Sequence, residues 1–197
     1  MKKTTTAIAL ALLSFSGGVA AKGLDYALGL SINYANIEYE DDDGTTASET
    51  LVFPVRVFGE LKLDKTNKFQ LGWRQVDFDI DATEQGDMGA TFEGNQFDAS
   101  WLHQVRLGRN FNPWFGLGAR ISMIDVTGKH EIDADGFLIQ RFEPVSDTVL
   151  SGLAQGYYEF PIGRSGWFID ASATYETPVS GDGLSGFGAG VGIKLEF

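Results

Sequence analysis

The closing segment GFGAGVGIKLEF, Gly186 to Phe197, alternates without a break: Phe187, Ala189, Val191, Ile193, Leu195 and Phe197 share one face, while four glycines, Lys194 and Glu196 share the other. Successive side chains of a strand point to opposite sides, so this period reads as a β-strand with one apolar face. A row of glycines is a poor water-facing exterior. It suits a crowded interior, where other strands need the space.

The same period recurs upstream. Leu24, Tyr26, Leu28, Leu30, Ile32 and Tyr34 form one such face, and Leu51, Phe53, Val55, Val57, Leu61 and Leu63 a second. Phe69, Leu71 and Trp73 begin a third strand, but its apolar parity then shifts to Val76, Phe78 and Ile80, which predicts a bulge near Arg74 or Gln75. Phe97, Ala99, Trp101, Val105 and Leu107 make the fourth, and Phe115 to Met123 the fifth. Thr148 to Phe160 is a sixth, in which Leu150, Ala154, Tyr158 and Phe160 compete with Val149, Leu153 and Tyr157 for the apolar face. Trp167 to Tyr175 and the opening stretch complete eight strands.

Their connections also alternate. DKTNK (Asp64 to Lys68), NFNPW (Asn110 to Trp114) and PIGRSG (Pro161 to Gly166) are tight, whereas Glu40 to Glu49, Ala82 to Gln96, Gly128 to Asp147 and ETPVSGDGLS are longer and mostly polar. Within Gly128 to Asp147, FLIQRF has the character of a strand prolonged past the rest.

Composition narrows the classes. Lys2 and Lys3, the apolar run Ala7 to Leu13 and the small residues Val19-Ala20-Ala21 form a secretory signal over residues 1–21, leaving 22–197 as one domain. Without the leader, 13 cations face 27 carboxylates, a net charge of −14, which excludes a nucleic-acid footprint. There is no cysteine, hence no disulfide, thiolate chemistry or lipid attachment through a thiol. No stretch after the leader is apolar over 18 residues, and mean hydropathy is −0.08. That excludes membrane helices and leaves open a membrane barrel, whose strands dilute apolar residues with lumenal ones.

Eight strands of about ten residues, with short and long connections in alternation and a final strand ending IKLEF, resemble the small outer-membrane β-barrels of the OmpA, OmpX and OmpW kind. The resemblance implies an all-β, antiparallel, up-and-down transmembrane barrel in a Gram-negative outer membrane, with both termini and the short turns periplasmic. Tyr26, Trp101, Trp114, Trp167 and Tyr175 would form aromatic girdles. Implied partners are outer-membrane lipids, lipopolysaccharide and the assembly machinery that reads the strand ending at Phe197; no loop motif names a ligand.

Parity assigns Arg56, Glu60, Arg74, Asp98, Arg106, Arg120, Asp170, Lys194 and Glu196 to the lumen, with Lys62 and Gln104. Both signs occur together, so they read as a charge-paired network, or as the lining of a narrow path. Lys194 and Glu196 are at best an ion pair of their own.

Three features test for chemistry. His103 falls on the apolar face, and Val105 stands where a lipid A deacylase carries the serine of its His-x-Ser pair. His130, in GKHEIDADG, has Ser146 and carboxylates near it in sequence, the residue types of a palmitoyltransferase-like rim. Glu131, Asp133, Asp135 and Gly136 imitate half a calcium loop, but Phe142 occupies the position of the bidentate acid; Asp41, Asp42 and Asp43 are a further acidic run. The expectation is no catalytic residue, cofactor or metal site, and a structural or surface-interaction role through four long loops. A narrow channel for small or apolar solutes and a lipid-modifying enzyme are the alternatives.

Overall fold

The computed structural model describes residues 25–40, 46–80, 88–109, 111–132, 137–179 and 183–197. The predicted leader and the acidic runs at 41–43 and 133–136 lie outside them.

The strands are β1 (Asp25–Glu40), β2 (Thr46–Lys62), β3 (Asn67–Ile80), β4 (Met88–Gln104), β5 (Trp114–Ile132), β6 (Leu138–Arg141), β7 (Val145–Pro161), β8 (Trp167–Pro178) and β9 (Gly183–Glu196). Eight form a closed ring, β4-β3-β2-β1-β9-β8-β7-β5 with β5 back on β4, and every pairing is antiparallel. The C-terminal strand closes the ring: β9 pairs with β1 from Ala27↔Glu196 to Glu40↔Gly183, and Phe197 N–H donates to the Tyr26 carbonyl at 2.9 Å. The glycines of β9 face inward for a steric reason. A Cβ on Gly192 would lie 2.7 Å from both carboxylate oxygens of Asp170, and one on Gly188 2.9 Å from Thr174 Oγ1.

Burial runs inside out for a protein in water. Leu117 is 74% exposed and Val191 62%, while Arg56, Asp98 and Arg120 are buried between the walls. A continuous apolar exterior around a polar interior is stable only where lipid replaces water. The ambiguous sixth strand of the sequence, β7, resolves the same way: Leu153 and Tyr157 turn inward, and Leu150 and Phe160 are exposed outside.

The predicted bulge near Arg74 is absent. β3 keeps an unbroken register with β4 from Asn67↔His103 to Ile80↔Ala90. Polarity reverses instead. Below Arg74, polar residues face the lumen; above it Val76 and Ile80 face inward, and Gln75, Asp77 and Asp79 are exposed. β4 and β5 reverse at the same level, with Phe92, Ile124 and Val126 inward against Glu93 and Asp125 outward. The strands have left the apolar belt and continue with water outside. For the same reason β4 begins at Met88, within what the sequence reads as a polar connection.

A real bulge sits in β2. Arg56 lies opposite Ser31 and Phe53 opposite Asn33, so Pro54 and Val55 together face Ile32. Proline cannot donate to a ladder and is confined to edges and bulges. Beyond it the wall is unzipped: β2 pairs with β3 only from Lys62↔Lys68 to Val57↔Trp73, although both strands run on against their other neighbours.

At the long-loop end, β5 continues past the positive-φ Gly128 and pairs with the short β6, His130↔Arg141 to Ile132↔Leu138. This is the prolongation that FLIQRF predicts. Phe137, Leu138 and Ile139 are exposed on it.

Candidate functional site: the barrel lumen

The lumen is built in three layers. Nearest the short turns, Lys68 Nζ donates to Glu60 at 2.9 Å and Glu159 at 2.5 Å, and Lys194 Nζ donates to the same two acids, at 2.5 Å for Glu60. Gln70 (2.8 Å) and the Tyr157 hydroxyl (2.7 Å) complete Glu60, and the Trp114 indole N–H donates to Glu159 at 3.0 Å. Lys68 also stands 4.0 Å above the Trp114 ring and 4.5 Å from that of Tyr157, within cation–π range. Leu102, fully buried, packs with Trp114 and Tyr157 and closes this end with apolar surface.

In the middle layer Asp98 accepts from both Nε and Nη2 of Arg56, the planar fork that guanidinium offers a carboxylate. Arg120 approaches Asp98 at 3.7 Å and pairs with Glu176, which Arg74 also meets at 3.6 Å. Arg74 Nε donates to Gln96 at 2.5 Å, and Gln96 in turn to Ser122 at 2.8 Å. The third layer, toward the long loops, is the apolar cluster of Ala35, Val76, Ile80, Ala90, Phe92, Ile124 and Val126, with Phe78 stacked on Phe92 at 4.9 Å.

Within this network five cations (Arg56, Lys68, Arg74, Arg120, Lys194) meet four carboxylates (Glu60, Asp98, Glu159, Glu176), and a fifth, Asp170, is buried beside them outside the ion pairs. Counted formally, these ten described residues carry no net charge. Two cavities at successive levels measure about 20 Å³ each, room for about one water apiece. One lies beside Arg120 and Asp170, whose Nε and Oδ2 have no hydrogen-bond partner among the described residues.

Of the residues that parity assigns to the lumen, Arg56, Glu60, Arg74, Asp98, Arg120, Asp170 and Lys194 are buried there. Arg106 is not. β4 ends at Gln104, and bonds from Val105 N–H to the Pro113 carbonyl (2.9 Å) and Leu107 N–H to the Phe111 carbonyl (3.1 Å) curl the chain into a turn, leaving Arg106 exposed. Glu196 is a correction of another kind: it pairs at 2.9 Å with Lys62 at the half-exposed rim, while Lys194 goes to Glu60 and Glu159. Gln104 also lies at the end of its strand, donating to the Asn112 carbonyl. Trp114 is no girdle residue, being buried inward; Trp101, Trp167 and Tyr175 are exposed outward, and Tyr26 stacks on Phe197 at 5.2 Å.

Sequence reading missed Lys68, Glu159 and Glu176. In sequence the first and last fall in connections and Glu159 in the ambiguous strand, where its parity with Leu153 and Tyr157 is the available signal.

The histidines stand apart from each other. His103 is exposed on the outer face, Nδ1 3.0 Å from Asn67 Oδ1. His130 Nδ1 lies 2.8 Å from the Gly128 carbonyl, and Ser146 donates to Asp125 at 2.6 Å. Among the described residues no group of three or more His, Asp or Glu is placed to hold a metal ion.

Fold and lumen together define a class, the small eight-stranded membrane β-barrel. No protein-family model matches the chain, and no curated protein does. Solved structures do. The chain is similar to Neisserial surface protein A (12% identity, 87% of this chain and 99% of that one, TM-score 0.52) and to Ail, the attachment invasion locus protein of Yersinia pestis, solved with the heparin analogue sucrose octasulfate (16%, 87% and 99%, 0.50). The N-terminal β-barrel domain of Pseudomonas aeruginosa OprF also matches (12%, 86% and 97%, 0.48). The architecture is that of the small outer-membrane barrels.

Proposed function

We propose that the chain is a non-enzymatic outer-membrane scaffold, with its termini and short turns in the periplasm, that works through the surface it raises on the long-loop side. The observation that carries this reading is the filled lumen: a buried ion-pair network between two apolar clusters, with two cavities among the described residues of about one water each. A barrel filled in this way is a support for what its loops present. The β3 to β6 wall rises beyond the apolar belt and exposes Phe137, Leu138 and Ile139 beside Lys129, His130 and Arg141. The attachment role in the name of Ail agrees with a surface-contact reading. Cells displaying the chain should adhere to glycan- or protein-coated surfaces better than cells displaying a form in which residues 129–142 are replaced by a short Gly-Ser turn. Equal adhesion would contradict it.

A second reading has one observation in its favour. The unzipped stretch between β2 and β3 lies at the level of the apolar layer, which suits an apolar solute entering sideways. A bifunctional thiol crosslink between Val55→Cys and Gln75→Cys that abolished hydrocarbon uptake would favour this reading; uptake unchanged by the crosslink would exclude it. Acyl transfer to or from lipid A, unaltered on overexpression, would exclude the enzyme reading.

A further inference from the structure

The outer wall has a groove that the lumen does not explain. Across β4, β5, β7 and β8, with Phe187 of β9 at its edge, a broad open depression of about 600 Å³ lies on the apolar belt. Its floor is made of small residues, Ala154, Gly156 and Ala173, which are neighbours in register (Ala154↔Tyr175, Gly156↔Ala173). Its sides are Trp101 and Leu117 on one flank and Tyr175 on the other. The Phe115 ring lies across the glycine, where a Cβ on Gly156 would meet it at 3.1 Å. A concavity in a surface that faces hydrocarbon takes an acyl chain.

The groove is polar at one end. His103 borders it on the short-turn side, one nitrogen on Asn67 and the other without a partner among the described residues. Arg106 and Arg109 follow three and six residues on, both exposed. Charge is biased along the barrel: the short-turn end exposes Lys65, Arg106, Arg109 and Arg164 against Asp25 and Asp64, while the opposite end exposes Asp77, Asp79, Glu93, Asp125 and Asp147 against Arg141. A cationic rim beneath an apolar groove is complementary to an anionic headgroup on an acyl tail.

The geometry points to a specific site for an anionic glycerophospholipid: one acyl chain lies in the Ala154–Gly156–Ala173 groove and the phosphate meets His103 and the Arg106–Arg109 turn. The site rests on the orientation proposed above only for the leaflet, the periplasmic one. Native mass spectrometry of the refolded full chain, with phosphatidylglycerol and phosphatidylcholine of matched chains, tests it independently of orientation. Wild type should retain phosphatidylglycerol about tenfold better. The groove-filling pair Ala154→Phe with Ala173→Leu, apolar for apolar on a lipid-facing wall, should lose both lipids, and Arg106→Gln with Arg109→Gln should lose the preference alone. Equal retention by wild type and the groove-filled form overturns the site, as does a wild type without preference. A wild-type dimer that the groove-filled form loses would assign the groove to a second copy instead.

Discussion

Lys194 and Glu60, 134 positions apart in the chain, meet inside the barrel at 2.5 Å, and Lys68 reaches the same Glu60 oxygen at 2.9 Å. β2, β3 and β9 are thus tied through one buried carboxylate. Removing one partner of a buried pair leaves the others uncompensated, at a cost of about 3–5 kcal/mol. Glu60→Ala should therefore lower the unfolding free energy of the refolded chain, extrapolated from urea titration, by about that amount. The rim pair Lys62–Glu196 is about one-third exposed on both sides, and Lys62→Ala should cost no more than about 1 kcal/mol.

Gly190 and Ala189 are adjacent on β9 but face opposite ways. A Cβ on Gly190 would collide with Asn33 Oδ1 and lie 2.8 Å from the Ile32 carbonyl, whereas Ala189 is exposed on the belt. Gly190→Val should destabilise by about 1–3 kcal/mol or more through overpacking, and Ala189→Val should be near neutral. Heat-dependent gel mobility of the two variants separates them.

Phe92 is buried to 1% and stacks on Phe78 in the apolar layer. Phe92→Ala should cost about 3–5 kcal/mol, as truncation of a packed aromatic does. If β4 were a solvated loop at this level, as the sequence reads, the same change would have almost no effect on urea unfolding.

The β2–β3 turn is held by Asp64, which accepts backbone N–H groups from Thr66 (2.7 Å) and Asn67 (2.8 Å) and the Asn67 side-chain amide. The Thr66 N–H bond, followed by the Asn67 side chain, lowers its carboxyl from the ordinary 3.8 to about 2. A depressed folded-state value means a contribution present above pH 3.8 and lost as pH falls toward 2. A carboxyl-carbon NMR titration should place the Asp64 midpoint near 2, and Asn67→Ala should move it upward; a midpoint near 4 in the wild type would contradict the turn geometry.

The ring and most of its lumen were legible in the period-2 pattern, because strand alternation reports which side a residue faces. It does not report what lies on that side. At Arg74 the outside changes from lipid to water, and apolar residues move inward without any break in register; from sequence this looks like a bulge. Pro54 carried the signal of the real one. Parity also has no meaning past a strand end, which is why Arg106 was misplaced, and Trp114, read as the last residue of a turn, belonged to the inward row of Gly116, Gly118 and Arg120. Glu176 could not be reached in that way, since β8 runs further than its apolar residues show.

The filled lumen is tested most directly by conductance of the refolded full chain in planar bilayers. A buried ion-pair network capped by the Phe92 and Leu102 clusters should pass no measurable current, in the wild type and in Arg106→Ala alike. Reproducible single-channel steps from the wild-type chain would show that the three layers do not close the barrel.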